Sequence, residues 1–392
     1  NLFFTIIFLN VYGIIMVYSA SYNNSITKNY SYFMNNQLKN VIFGFVIMIV
    51  ASYVNYHRIV RFGWGWFWLL AAVAIIAALK TPLAHSELGA TRWIKLGPVS
   101  FQAAEPIKAA IIIFFAYYVS YWGLNRWYNQ LLACLLAIAL LGFLFFFSNN
   151  LSTVIVLFCI CAVIILSSVK KPDLYLYFLI GLALIIIAAI GVTIYLLMHQ
   201  GAENFRFVRI RAWLHPEEYA ADEGLQAMQA RYAIGAGGFW GKGLGQSLIK
   251  FKLSYSYNDF ILAIICEELG VFGVIVMMTL FGYLLYRIYK IAQNAWDIEG
   301  KVLAIGVFTQ IALQLLINVM VVTSVIPTTG VTLPFFSAGG TSVVFLLAEL
   351  GMVLNVDKYA KERRFFEEAE RHVAQMEQRG GIGAAGWRPV SY

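Results

Sequence analysis

The chain has 392 residues, of which 61% are hydrophobic and only 12% charged, with a mean hydropathy of +0.73. Soluble domains run about 45–50% apolar and about 25% charged, so this composition excludes a soluble enzyme, a disulfide-stapled secreted scaffold and a disordered chain, and is that of a polytopic integral membrane protein. The net charge of +8, from 28 basic and 20 acidic residues, is therefore read loop by loop against membrane topology and not as a nucleic-acid signature.

Apolar runs long enough to cross a bilayer as helices of about 20 residues fall near 1–20, 38–55, 62–80, 104–120, 128–147, 151–169, 173–198, 259–286, 301–325 and 341–356. They predict an all-α fold of about ten transmembrane helices. The first run opens at Asn1 with no charged region or cleavage site ahead of it, so it reads as the first span of a truncated start and not as a signal peptide. Residues 1–356 form the membrane domain and 357–392 a cytoplasmic tail, with a short solvated or amphipathic helix in KERRFFEEAER at 361–371 and a Gly/Ala-rich end. No internal repeat is evident. Cys134, Cys159, Cys161 and Cys266 sit in apolar runs without paired spacing and read as small buried hydrophobes. The five histidines make no zinc pattern.

Arg58, Arg61, Arg126, Lys170, Lys171, Arg287, Lys290 and Lys301 fall in one set of short loops, followed on that side by Lys358, Lys361, Arg363 and Arg364. The positive-inside rule puts that side, and with it both termini, in the cytoplasm. Pro82, Pro98, Pro106, Pro216, Pro327 and Pro334 lie on the outer side. So does one large extracellular loop at 199–258, too rich in Trp, Tyr and Leu to read as disorder. The outer face is where function is expected.

Ionisable residues near apolar spans are costly and become functional candidates. Asp259 stands where the large loop re-enters the membrane, reachable by water, either as a general base or as a carboxylate favoured by a helix N-terminus. Glu267 and Glu268 follow on the same helix, eight residues or about 12 Å deeper, and are expected to pair with a cation or to sit protonated and hydrogen-bonded. Glu349 lies in the last span. Glu105 and Lys108 stand i, i+3 and can pair, or Lys108 can face a cavity and meet an anion. Arg92 and Lys95 precede them, and Arg206, Arg209 and Arg211 crowd the large loop before Pro216. Such cations beside a carboxylate suit a pyrophosphate-bearing substrate or, alternatively, anionic lipid headgroups. Gln310, Gln314 and Asn318 recur every fourth residue, a stripe for helix–helix hydrogen bonds or a lined cavity. The glycines at 235, 237, 238, 241, 243 and 245 lack the spacing of a nucleotide loop and read as a flexible turn approaching the membrane surface.

Six ordered blocks carry a resemblance over nearly all of 1–358. They are YSAS at 18–21, GATRWIKLG at 89–97 with FQAAEPIK at 101–108, and RFVRIRAWLHP at 206–216. Gln226 ahead of GGFWGKGLGQS at 237–247, then DFILAIICEELG at 259–270, and finally Gln314–Asn318 with PTTGVTLPFFSAGGTS at 327–342 complete them. The chain resembles the SEDS family (shape, elongation, division and sporulation), and its opening and FQAAEPIKAA block look more like FtsW or SpoVE than RodA. The resemblance implies a bacterial cytoplasmic-membrane peptidoglycan glycosyltransferase that polymerises lipid II on the outer face. It also implies a class B penicillin-binding protein, the transpeptidase, and other divisome or elongasome proteins as partners, with no nucleic acid. The family's catalytic aspartate falls on Asp259, its loop arginines on Arg206 and Arg209, and its Glu–Lys pair on Glu105 and Lys108. Arg92, Gln226, Gln314 and Asn318 join these as substrate-binding candidates, Glu267 and Glu268 as a polar core, and a divalent metal (Mg or Mn) is left open. Where the family often reads LPEAHTDFI, this chain has LSYSYNDFI at 253–261. QPSE becomes QAAE, and a QPDLGT-like block becomes SNNLST at 148–153, placing Asn150 where the family has an acid. A flippase for the lipid-linked precursor and a non-enzymatic division scaffold remain the competing readings.

Overall fold

The computed structural model describes residues 2–21, 32–87, 90–97, 99–148, 150–169, 205–215, 218, 223–251, 258–338 and 340–378. Its helices are α1 (Leu2–Ser21), α2 (Tyr32–Tyr53), α3 (Tyr56–Val60), α4 (Trp66–Ala78), α5 (Ala104–Trp122), α6 (Trp127–Ser148) and α7 (Leu151–Ser168). After them come α8 (Phe205–Leu214), α9 (Glu223–Gly237), α10 (Ile261–Asn294), α11 (Ile298–Val322) and α12 (Thr341–Gln378). Among the described residues six helices are long and apolar enough to cross a membrane: α1, Phe33–Tyr53 of α2, α6, α7, α10 and α11. The protein is a multi-pass, predominantly helical membrane protein. The expected runs at 104–120 and 341–356 correspond to α5 and α12, and that at 62–80 to a 3₁₀ turn at Phe62–Gly65 followed by the shorter α4. The expected run at 173–198 lies outside the described residues.

Bilayer placement explains the surface. α1 buries Ile6, Leu9, Met16 and Val17 while exposing Phe4, Phe8, Val11 and Ile15, a distribution that hydrocarbon accommodates because tails are as apolar as the side chains they touch. α5 is buried along nearly all of Ile107–Val119, and α11 buries sixteen of its 25 residues. α12 lies along α2, where an added Cβ on Gly351 would stand 2.5 Å from the Met48 carbonyl oxygen. Small residues thus let the two backbones approach, which is how membrane helices gain contact without a hydrophobic drive. Past the bundle α12 runs on unbroken to Gln378, so the mixed-charge tail segment at 361–371 continues the last span instead of forming a separate helix.

One element departs from the helical expectation. Residues 84–102 form a three-stranded antiparallel sheet, β1 (Ala84–Glu87), β2 (Ala90–Leu96) and β3 (Val99–Gln102), in the order β1-β2-β3. Gly97 (φ 61°) makes the β2–β3 turn, and Leu96 pairs with Val99. Alternation along β2 turns Arg92 and the buried Ile94 to one face and the exposed Lys95 to the other. Strand polarity therefore separates the two basic residues that the sequence grouped together.

α10 is interrupted at Gly270 (φ 64°, ψ −164°). A break inside a spanning helix orphans backbone groups that hydrocarbon cannot satisfy, and the glycine run supplies their partners. Lys242 and Gly243 N–H donate to the Glu267 and Glu268 carbonyls (both 2.9 Å), while Val271 and Phe272 N–H donate to Gly238 and Phe239 (3.1 and 3.2 Å). A Cβ on Gly241 would lie 2.2 Å from the Glu268 oxygen, so only glycine allows this approach. The turn expected to lie loose at the surface is instead docked beside α10. The 199–258 loop accordingly contains α8, α9 and a segment packed into the bundle.

Candidate functional site

Asp259 sits in the turn just ahead of α10, half-buried, and neighbouring backbone is gripped from two sides. Asn318, near the end of α11, donates from Nδ2 to the carbonyls of Asp259 and Val331 (both 2.9 Å). The Ser337 hydroxyl donates to the Asn258 carbonyl (2.8 Å) and accepts the Leu333 N–H (2.7 Å). The 333–337 turn is itself held rigid. Phe335 takes a left-handed backbone conformation (φ 66°), a strain of about 1–3 kcal/mol for a non-glycine residue, which is offset by complete burial of Phe335 and Phe336 against Phe281 and Tyr12.

Two cations act on the Asp259 carboxyl. Removal from water raises it above the ordinary aspartate range, and the charges of Arg92 and Arg209 partly counter that rise. Desolvation thereby makes it a stronger base than a free aspartate, the role the sequence offered it. Arg92 reaches the site from β2, and an added Cβ on Gly330 would lie 2.6 Å from its Nη1. Arg209 comes from α8, one turn before Trp213, whose indole N–H donates to the Ser324 carbonyl at the end of α11 (2.8 Å). This bond docks α8 with Arg209 on the same face. Arg206 lies one turn earlier on α8, and its side chain is outside the described residues.

Beside this turn lies a polar cavity of about 30 Å³ lined by Gln102, Glu105, Lys108, Asn150, Gln314 and Thr332, among others, which has room for water but not for a sugar. A second space of about 10 Å³ adjoins Arg92 and shares Gln102 and Asn150. Lys108, buried, donates to both oxygens of Glu105 (2.9 Å each). Asn150 caps α7 by accepting the Thr153 N–H (3.4 Å), so an amide performs a capping role there without a charge. The polar stripe of α11 contacts three levels, each about 6 Å apart. Gln310 donates to Glu349 (2.8 Å), Gln314 lines the cavity and Asn318 holds the Asp259 turn.

Glu267 and Glu268 are fully buried away from the cavity and hold the glycine segment. Glu267 accepts from Lys242 Nζ (2.7 Å), the Ser247 hydroxyl, and the N–H groups of Leu248 and Ile249 (3.2 and 3.3 Å). Glu268 accepts from the Ser19 hydroxyl (2.5 Å) and Ser247 N–H (3.3 Å), and lies 3.6 Å from Lys250 Nζ. Gln226 lies half-buried on α9 and lines neither cavity. Sequence reasoning missed Lys242, Ser247, Lys250 and Ser337. The only signal for them was their membership in the GGFWGKGLGQS and PFFSAGG blocks, because their partners are remote in sequence.

The described side chains around Asp259 are cations and amides plus one carboxylate already paired to Lys108. That donor set suits an oxyanion, and a divalent ion held by one carboxylate together with substrate phosphates remains the open expectation.

Residues 1–362 match the family described as FTSW_RODA_SPOVE, cell cycle protein. A probable peptidoglycan glycosyltransferase FtsW of Trichlorobacter lovleyi is 33% identical over 363 residues, covering 90% of this chain and 91% of its own. Stage V sporulation protein E of Bacillus subtilis is 32% identical over 372 residues, covering 91% and 96%. Among solved structures, a peptidoglycan synthase complex that coordinates polymerization and crosslinking has a chain that aligns with a TM-score of 0.72 at 22% identity, covering 91% of this chain and 97% of its own. The rod shape determining protein RodA of Thermus thermophilus aligns at 0.64, with 22% identity, covering 91% and 95%. The fold is shared with these structures, and the sequence match over nearly the whole length makes the chain a member of the FtsW/RodA/SpoVE cell cycle protein family.

Proposed function

We propose that this chain is a peptidoglycan glycosyltransferase that polymerises lipid II into glycan strands at the outer face of the cytoplasmic membrane, with both termini in the cytoplasm. One observation carries the mechanism: the Asp259 carboxyl, withdrawn from water, lies within electrostatic reach of Arg92 and Arg209 on backbone fixed by Asn318. Asp259 takes the proton from the acceptor sugar hydroxyl, whose oxygen attacks the anomeric carbon of the donor. The bond from that carbon to the pyrophosphate breaks, releasing undecaprenyl pyrophosphate. Its developing charge is met by Arg209 and Lys108, held in place before the reaction begins, with Arg206 one turn away on α8 as a further cation. The small cavity at Lys108 and Gln314 then acts as electrostatic support under the substrate surface, and positioning contributes much of the rate. No step is assigned to a metal.

The family membership, and the names of relatives such as the Trichlorobacter lovleyi protein, support this chemistry. The synthase-complex neighbour supports a class B penicillin-binding protein as the transpeptidase partner. The break in α10 is the feature most akin to a transporter's discontinuous helix, but its freed backbone groups are taken up by the glycine segment and line no cavity. The test is glycan polymerisation from purified lipid II, with and without the cognate penicillin-binding protein. Polymer in either condition supports the reading. Its absence in both, together with lipid II translocation in proteoliposomes, favours the flippase.

A further inference from the structure

A second cluster lies at the end of the bundle opposite Asp259. Glu299 and Asn318 are nineteen residues apart on α11, about 28 Å along the axis. At the N-terminal end of α11, Asp297 and Glu299 meet His57 of α3, and the three offer ligand atoms that all lie within 4.8 Å of one another. His57 Nε2 is 2.5 Å from Asp297 Oδ2 and 3.8 Å from Glu299 Oε2.

What distinguishes the cluster is how the outward-facing atom of each residue is held. His57 Nδ1 lies 2.8 Å from Asn55 Oδ1, an oxygen that also accepts the His57 backbone N–H (3.0 Å). The backbone donor identifies that atom as the amide oxygen, so Nδ1 carries a proton, while Nε2 is turned inward in hydrogen-bond contact with Asp297 Oδ2. Asp297 Oδ1 accepts from the Tyr56 hydroxyl (2.9 Å) and Gly300 N–H (2.8 Å). Glu299 Oε1 accepts from Arg61 (2.9 Å) and the Ser120 hydroxyl (3.0 Å). Each residue therefore has one atom fixed from outside and one turned toward a common point. The Glu299 side chain is only 3% exposed, yet its inward Oε2 has no hydrogen-bond partner.

Outer-shell hydrogen bonds that fix the tautomer of a histidine and the rotation of carboxylates are the usual setting of a metal centre. One imidazole and two carboxylates are a common ligand set for Zn²⁺ and similar first-row ions. We propose that His57, Asp297 and Glu299 bind a divalent transition-metal ion, which ties α3 to the start of α11. Arg61 is mostly exposed, so water screens its charge and leaves the two carboxylates available to the ion. With Ser120 on α5 and Tyr359 of α12 packed edge-on against the His57 ring, the ion sits where four helices meet.

The test uses the full chain, purified in detergent and stripped with a chelator. Zn²⁺ binding is followed by calorimetry, and Co²⁺ is used as a spectroscopic probe displaced by Zn²⁺. The expected result is one ion per chain with a histidine nitrogen in its coordination shell by X-ray absorption. Affinity is expected to fall about 100-fold or more in Glu299→Gln and His57→Asn, and about tenfold in Asn55→Ala. Glu370→Gln, eleven residues beyond Tyr359 on α12, is expected to leave it unchanged. Absence of stoichiometric binding by wild type overturns the proposal and leaves the cluster an ion pair with a proton on Nε2. Binding undiminished in Glu299→Gln, or a wild-type shell without histidine nitrogen, also overturns it. The absorption measurement on wild type decides the matter if the variants fail to fold.

Discussion

Truncating Asn318 separates two roles that its position permits. Its Nδ2 makes two neutral hydrogen bonds of 2.9 Å, to the carbonyls of Asp259 and Val331. Each such bond contributes about 0.5–1.5 kcal/mol net, so Asn318→Ala removes about 1–3 kcal/mol of restraint on the turn that carries the base. If that restraint acts on the transition state, at 1.36 kcal/mol per factor of ten the loss is about 5- to 150-fold in rate. Asn318→Asp is expected to be worse than alanine, because a carboxylate oxygen then faces two carbonyl oxygens in a buried place. The assay is lipid II polymerisation at matched amounts of folded protein. A positioning role lowers kcat and leaves KM for lipid II nearly unchanged, whereas direct substrate binding raises KM. Wild-type kcat in Asn318→Ala refutes the reasoning.

The pH–rate profile reports the environment of Asp259. Burial raises its pKa, so kcat/KM is expected to climb with pH on a limb above the ordinary aspartate range, which is near 3.9. Arg92→Gln removes a charge that lowers this pKa and is expected to move the limb to still higher pH; an unmoved limb contradicts the assignment. The same raised pKa means that the folded state holds this proton more tightly than the unfolded chain. The group's contribution to stability therefore declines as pH rises from the ordinary range through the raised value. In the glycine segment, Gly241→Ala combines a left-handed backbone (φ 77°) with a clash against the Glu268 carbonyl. It is expected to cost about 2–5 kcal/mol, whereas Gly245→Ala meets no atom within 4 Å and is expected to cost about 1–2 kcal/mol from backbone strain alone. Thermal unfolding in detergent compares the two, and equal losses contradict the docking of Gly241.

The helices were legible because hydrocarbon demands long apolar runs, and each expected run within the described residues coincides with a helix. Residues 84–102 were not, because three short strands carry too little periodicity to stand out, and Gly97 makes the β2–β3 turn without a longer motif. Position in the chain marked Asp259, Arg92 and Arg209 as candidates. It did not reveal that Asn318 faces the Asp259 backbone, since that contact joins residues 59 apart. The depth of Glu267 and Glu268 was readable, but their cations Lys242 and Lys250 come from a segment whose docking depends on the break at Gly270. A lone glycine in an apolar helix gives no sign of such a break. The His57 cluster was hidden for the same reason: 240 residues separate His57 from Asp297.

The central claim is that Asp259 is the base for glycosyl transfer. Wild type and Asp259→Asn are compared for glycan chain formation from lipid II, with the partner penicillin-binding protein present and folded protein matched by gel filtration. The isosteric amide keeps the shape of the turn and the Asn318 bond to its backbone while removing the proton acceptor. Polymer from wild type alone is the predicted result. Equal polymer from both contradicts the claim and directs attention to Glu105, the paired carboxylate of the neighbouring cavity.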